Sequence, residues 1–316
     1  MARRRASSRQ PLTSRLPSGP VRLSTTTAEL VPDPGDPRSV TLYLDGVPSS
    51  HVDLDDPLRL DFEYMQQMAL VLDRLGADGG PLDVVHLGAA GCTLARYVHA
   101  TRPRSRQLAV EIEAELAARA REWFELPRSP ALRIRVGDAR EVLATLPDAS
   151  ADAVVRDVFA GASTPEHLTT AEFTREVARV LRPEGVYLAN VADRPPLAVA
   201  RSELATIASV LPVVVLAAEP AQLRGRRYGN LLVAASRTGE VLEDPDLERA
   251  VRALPAPTRL VRGRELAELA RSAPVRHDPP RDDDEAAPPG EDAASDDVRA
   301  VRRARRSPPG GPWDPA

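Results

Sequence analysis

Three acids in this chain follow apolar runs, and a turn of small residues comes before all of them. The turn is Gly88-Ala89-Ala90-Gly91-Cys92-Thr93, directly after the apolar run 82–87. Glu111 closes the run 107–111, Asp138 follows Gly137 after the run 132–136, and Asp157 closes the run 151–157. A small-residue turn lets a ligand approach the backbone, and its amides with the next helix N-terminus favour anionic or lone-pair-bearing groups. A carboxylate placed like Glu111 can accept two hydrogen bonds from a ribose diol. Asp138 can accept from an adenine amine while the Ala139 amide reads the ring. Each feature alone has a plainer explanation, since glycine turns are often only turns and strand-end acids often cap a neighbouring helix. The four together, in this order on successive strands, point to nucleoside binding.

The elements that must hold these groups alternate along the chain. Strands are expected at 82–87, 107–111, 132–136, 151–157, 186–191, 213–217 and 230–235. Helices are expected after the glycine turn, at 113–124, from Ala139, from the Thr170-Ala171-Glu172-Phe173 start to Leu181, and at 197–210. Such alternation implies an α/β fold: a seven-stranded, mainly parallel Rossmann-like sheet with helices on both faces. The last two strands have no helix between them, so one edge is expected to be antiparallel. In open sheets of this kind ligands lie beyond the carboxyl ends of the strands, where all four features fall. Upstream, Ser39-Val40-Thr41-Leu42-Tyr43-Leu44, the Asp45-Gly46 turn and a partner run at 49–54 form a small antiparallel β element. The stretch 58–75 then carries Phe62, Met65, Met68, Ala69, Leu72 and Leu75 at helical spacing.

Composition sets outer bounds. The chain has 316 residues with 42% hydrophobic and only 3% aromatic content, so its core is mainly Leu, Val and Ala. Lysine is absent, and a net charge of −4 gives no general reason to expect a nucleic-acid partner. The single cysteine, Cys92, excludes an internal disulfide and a multi-cysteine zinc site. No apolar run reaches the ~18–20 residues of a membrane helix, and no apolar stretch follows the arginine-rich start, so a cytoplasmic protein with no membrane partner is expected. Residues 1–20 are expected to be a disordered arginine-rich N-terminus, 21–57 the small β domain, 58–273 the nucleoside-binding domain with its leading helix, and 274–316 a disordered acidic, proline-rich tail.

The ordered set of motifs resembles the spermidine synthase (polyamine aminopropyltransferase) family, on the class I S-adenosylmethionine-dependent transferase fold. It is carried by Leu44-Asp45-Gly46, Phe62-Glu63-Tyr64, residues 84–96, Val110-Glu111-Ile112-Glu113, Gly137-Asp138-Ala139, residues 152–157 and Tyr228-Gly229-Asn230, and it spans about 21–236. The stretches His167-Leu168-Thr169-Thr170-Ala171-Glu172-Phe173 and Leu181-Arg182-Pro183-Glu184-Gly185-Val186 belong to the same resemblance. It implies a donor, S-adenosylmethionine or its decarboxylated form, held by Gly88, Ala90, Gly91, Glu111, Asp138 and Ala139. It implies a small amine or other small acceptor held near Tyr64, Gln66 and Asp157, with Asp157 as the base and no metal. Five positions depart from the family pattern: Ala90, Ala160 and Gln66 replace acids, Met65 replaces a histidine, and Ser49 replaces a glutamine. A methyltransferase with another acceptor and a catalytically silent nucleoside-binding homologue stay open as alternatives, as does a homodimer. Cys92 and His86 are expected to be core residues, and His167 a loop histidine with a backbone partner.

Overall fold

The run Asp-Val-Val-His-Leu, buried at every position, has the pattern of a strand covered on both faces, as a central parallel strand must be. In the computed structural model, which describes residues 16–76, 79–161 and 163–280, it lies in the middle of an eight-stranded sheet. The chain begins with a separate antiparallel sheet of β1 (Val21–Arg22), β2 (Thr27–Asp33), β3 (Asp36–Leu44) and β4 (Val47–Asp53), paired in sequence order. Asp45 and Gly46 link β3 and β4 with positive φ at both residues (47° and 80°), the twist a two-residue hairpin requires. Helix α1 (Glu63–Leu72) follows.

The large sheet then builds through β5 (Asp83–Leu87), α2 (Thr93–Thr101), β6 (Arg106–Glu111), α3 (Ala114–Trp123), β7 (Leu132–Val136), α4 (Ala139–Ala144) and β8 (Ala151–Arg156). It continues with α5 (Ala171–Val180), β9 (Leu181–Asp193), α6 (Ala198–Ala208), β10 (Val213–Ala218), α7 (Pro220–Leu223) and β11 (Gly229–Ser236). It ends with α8 (Pro245–Arg252), β12 (Arg259–Val261) and α9 (Gly263–Ala270). The strand order is β12-β10-β11-β9-β8-β5-β6-β7. Strands β7, β6, β5, β8 and β9 are mutually parallel, whereas β11 and β12 run against their neighbours. The fold is thus α/β and mainly parallel, with the antiparallel edge that the β10–β11 succession implied.

In the small sheet β1 and β2 were not foreseen, and in the large sheet one strand was not. Arg259-Leu260-Val261 pairs with β10 and makes eight strands, where seven were expected. Three residues carry no readable period, and they become a strand only because β10 offers an open edge.

The cores divide by face. One holds Leu143, Phe173, Val177, Leu204, Ile207 and Leu216, under α4, α5 and α6. The opposite one packs Met65, Met68 and Leu72 of α1 on Val84, Val155, Leu188 and Leu232. The third joins the N-terminal sheet to the glycine turn, with Val40, Leu42 and Val52 against Ala89, Cys92, Leu116 and Trp123. No helix among the described residues is long and apolar enough to cross a membrane.

The start of the expected disordered tail is docked. Residues 274–280 form an extended strap across α5 and α6. The Pro274 carbonyl accepts from Ser202 (2.8 Å), the Arg276 amide donates to Thr206 (2.9 Å), and the Arg276 carbonyl accepts from the Ala171 amide (2.8 Å). Composition misled here because the strap is held by side-chain and backbone hydrogen bonds and buries little apolar surface. Residues 1–15 and 281–316 lie outside the described residues, and with them most of both expected tails.

Candidate active site

Backbone pairing between parallel strands sets the centre of the site. The Asp157 amide donates to the Leu87 carbonyl (2.9 Å), and the Gly88 amide donates to the Val110 carbonyl (3.0 Å). Pairing therefore runs one residue past β8 and β5, and sets Gly88 beside Asp157. A Cβ on Gly88 would lie 2.2 Å from the Asp157 carbonyl oxygen, and Gly88 holds φ at +84°. At Gly91 a Cβ would lie 2.7 Å from Cβ of Ser50, whose hydroxyl accepts the Gly91 amide (3.0 Å). The space beside these two glycines is filled by protein: the Asp157 backbone in one case and β4 in the other. Each glycine thus permits a close approach within the protein itself.

Glu111, buried at the end of β6, accepts from the amides of Ala90 (3.0 Å) and Ala89 (3.3 Å) through one oxygen and from Glu113 (3.0 Å) through the other. It ties the glycine turn to its strand, and Oε1, which accepts one amide, keeps lone-pair capacity for a hydroxyl. Changing it to Gln removes the charge and one acceptor. Charge-assisted hydrogen bonds of ~1.5–3 kcal/mol are then lost, so Glu111→Gln is expected to weaken methylthioadenosine binding by roughly ten- to a hundredfold in calorimetry.

Asp138 caps α4, accepting from the amides of Arg140 (2.8 Å) and Glu141 (3.2 Å). Its other oxygen lies 2.9 Å from Nε2 of His167, so this histidine has a side-chain partner where a backbone one was expected. Burial pushes the Asp138 carboxyl up, but the hydrogen bonds from His167 and the two amides outweigh it and leave the pKa below the ordinary value. Ala139 is buried in the first turn of the same helix.

The strap reaches this loop. Arg140 donates to Asp278 Oδ1 (2.7 Å), ion-pairs with its other oxygen, and donates to the His167 carbonyl (3.0 Å). Asp278, Arg140, His167 and Asp138 therefore form one chain of contacts. Removing the carboxylate in Asp278→Ala releases Arg140 and His167 together. With the pair partly exposed, the expected cost is about 1 kcal/mol, read as methylthioadenosine binding weakened roughly fivefold.

Asp157 lies just past β8, partly accessible, at the middle of the strand order. Tyr64 of α1 donates to Oδ2 (2.9 Å) and Asn190 of β9 donates to Oδ1 (2.8 Å). Burial raises the Asp157 carboxyl above its ordinary value, against the hydrogen bonds from Asn190 and Tyr64 and the charge of Arg156. Tyr64 is pushed well above the phenol range by burial and the facing carboxylate, so it stays a donor. A raised carboxylate held by two donors is a competent proton acceptor.

Gln66 does not reach this group: its amide donates to the Leu60 carbonyl (2.6 Å). Two residues apart on a helix point away from one another, so Tyr64 and Gln66 cannot serve one site. Ser49 is likewise engaged with its own turn, donating to the Val47 carbonyl (3.0 Å). Asn190 was missed from sequence, although an amide inside the otherwise apolar run 186–191 was a readable signal. Its Oδ1 is buried with no hydrogen-bond partner among the described residues.

Two other groups are inert. Burial pushes the Cys92 thiol up to about 12, helped by Glu111, and pushes His86 down to about 4 against its Gln107 partner (2.9 Å). As for metal, Asp33, His51 and Asp61 bring ligand atoms within 4.8 Å of one another. The Arg59 guanidinium already lies among them, bonded to Asp33 (3.2 Å) and Asp61 (2.9 Å), so a cation would have to displace it.

A crystal structure of a probable spermidine synthase from Corynebacterium glutamicum is 38% identical, covers 84% of this chain and 97% of its own, and superposes with a TM-score of 0.78. The chain belongs to the spermidine synthase-like family. Within that family, the polyamine aminopropyltransferase of Chromobacterium violaceum is 30% identical over 161 residues, 51% of this chain and 60% of that protein. The chain thus spans about 60% of the length of the curated relatives it matches first. Residues 85–189 match the family described as Methyltransferase domain. The spermidine synthase of Thermotoga maritima shares the fold at 18% identity, with a TM-score of 0.54 over 75% of this chain and 79% of its own.

Proposed function

We propose that this spermidine synthase-like protein is a transferase that binds S-adenosylmethionine or its decarboxylated form and moves an aminopropyl group from the sulfonium to an amine, with Asp157 as base. The donor side is Glu111, Asp138 and Ala139; the acceptor side is Tyr64, Asp157 and Asn190. The observation that carries this reading is the Asp157 carboxylate, raised by burial and held by Tyr64 and Asn190 where the two sides meet.

The chemistry asks little beyond position. The amine nitrogen gives its lone pair to the carbon next to the sulfonium, a C–N bond forms, and the C–S pair returns to sulfur to leave a neutral thioether. Asp157 takes the proton the amine releases. Alignment within a closed site can itself supply several kcal/mol of the barrier. The unpartnered Asn190 Oδ1 fits an amine, because it is a buried acceptor beside the base.

Calorimetry with S-adenosylmethionine, its decarboxylated form and methylthioadenosine tests the reading. Tighter binding of the decarboxylated donor, with methylthioadenosine released on adding an amine, is the expected result; binding of no donor sinks it. A second reading, methyl transfer to another acceptor, is supported by the match of 85–189 to Methyltransferase domain. Release of S-adenosylhomocysteine in place of methylthioadenosine would decide for it.

A further inference from the structure

The strand order divides the carboxyl edge of the sheet in two. The nucleoside groups sit at β5, β6 and β7 on one side of Asp157, and the loops around β9 and β11 lie on the other. Asn190, which touches Asp157, pairs with Leu232, while Asp193 pairs with Gly229. Three residues of strand, ~10 Å, therefore separate Asn190 from two adjoining loops: Arg194-Pro195-Pro196 after β9, and Arg224-Gly225-Arg226-Arg227-Tyr228 before β11. A Cβ on Gly225 would lie 3.5 Å from Pro195, so the two loops pack together.

Four arginines stand on this pair of loops, all exposed. Arg227 pairs with Glu219 (3.0 Å). For Arg194, Arg224 and Arg226 no acidic partner is found among the described residues. Arg224 also lines a cavity of about 340 Å³ with Leu197, Arg201, Leu223, Leu269 and Glu268. The acids nearby have other partners: Asp193 caps the start of α6 through the amides of Arg194 (2.7 Å) and Ala200 (2.8 Å), Glu219 holds Arg227, and Glu268 of the cavity pairs with Arg264 (3.4 Å).

We propose that the acceptor is a small amine that also carries an anionic group, carboxylate or phosphate, and that Arg194, Arg224 and Arg226 receive that group while the amine lies against Asp157 and Asn190. A dicationic amine finds one counter-charge at Asp157 and three unpaired guanidinium groups beyond it. An amino acid or phosphorylated amine finds a match at both ends, since guanidinium pairs with planar carboxylate or phosphate in bidentate fashion. This inference rests on the transferase reading above.

The test is calorimetry on the full chain saturated with methylthioadenosine, using putrescine, 4-aminobutyrate and O-phosphoethanolamine as probes. At least one anionic amine is expected to bind about tenfold more tightly than putrescine. The probe that wins separates carboxylate from phosphate. In the triple variant Arg194→Ala/Arg224→Ala/Arg226→Ala that preference should vanish, with the methylthioadenosine titration serving as a check on folding. Tighter binding of putrescine, no binding of either anionic amine, or a preference unchanged in the variant overturns the inference. Loss of methylthioadenosine binding by the unaltered chain instead overturns the transferase reading, and the acceptor inference falls with it.

Discussion

Asp157→Asn is expected to lower the turnover rate by about a hundred- to ten-thousandfold, the usual contribution of a positioned base, and to leave methylthioadenosine affinity close to unchanged. The separation follows from position. Asp157 touches Tyr64 and Asn190, and none of the nucleoside-side groups bonds to its side chain. An asparagine can keep both contacts, accepting from Asn190 and donating to the Tyr64 oxygen, so the pocket retains its shape while losing its proton acceptor. Single-turnover rates and calorimetry on the same preparation check both halves. If turnover survives, the base lies elsewhere.

The same substitution has a pH signature. Burial holds the Asp157 carboxyl above its ordinary value of 3.8. Ionising it therefore costs more in the fold than in the unfolded chain. Its favourable contribution is complete below 3.8 and is lost as pH rises through the folded value. Relative to Asp157→Asn, the unaltered protein should thus lose stability across that window, and the variant should be no less stable at neutral pH. Turnover should follow the opposite course, rising with pH as the carboxylate forms, with a midpoint above 3.8. Denaturation midpoints and rate profiles over the same pH range test the two statements independently.

Glu203→Gln is expected to give the largest loss of stability of any single change considered. Arg156, the last residue of β8, is fully buried and paired with the fully buried Glu203 of α6, and it donates to the Leu168 carbonyl (2.7 Å). Arg156 Nε, Glu203 Oε1 and the Tyr187 hydroxyl are already without partners among the described residues, so the cluster is incompletely satisfied even before a charge is removed. Removing the carboxylate charge leaves a buried guanidinium uncompensated, at ~3–5 kcal/mol. Thermal unfolding should fall by on the order of 10 °C. The double change Arg156→Met/Glu203→Leu should recover most of that loss, since an apolar pair of similar volume avoids the desolvation cost of both charges. If it does not, packing around β8 and not charge compensation explains the single-variant result.

Strand and helix succession was legible because it is a local property. The fully buried run of β5, the mostly buried run of β8 and the helical spacing of Met65, Met68 and Leu72 show in the residues themselves. Asp45-Gly46 shows its hairpin for the same reason, since both residues accept positive φ. The carboxyl-edge placement of Glu111, Asp138 and Asp157 follows from that alternation, because parallel strands send successive ends to one edge.

What those groups touch depended on neighbours distant in sequence. His167 meets Asp138 across 29 residues, Tyr64 meets Asp157 across 93, and Asp278 reaches Arg140 across 138. None of these distances is encoded in local pattern. The sequence by itself determined the alternating α/β order and the edge on which the acids gather, because hydrophobic period and turn chemistry act over a few residues. Tertiary structure alone decided that Gly91 serves β4, that Asn190 completes the grip on Asp157, and that the strap holds Arg140. Each of those depends on which strands become neighbours in the sheet and which loops then meet beyond its edge.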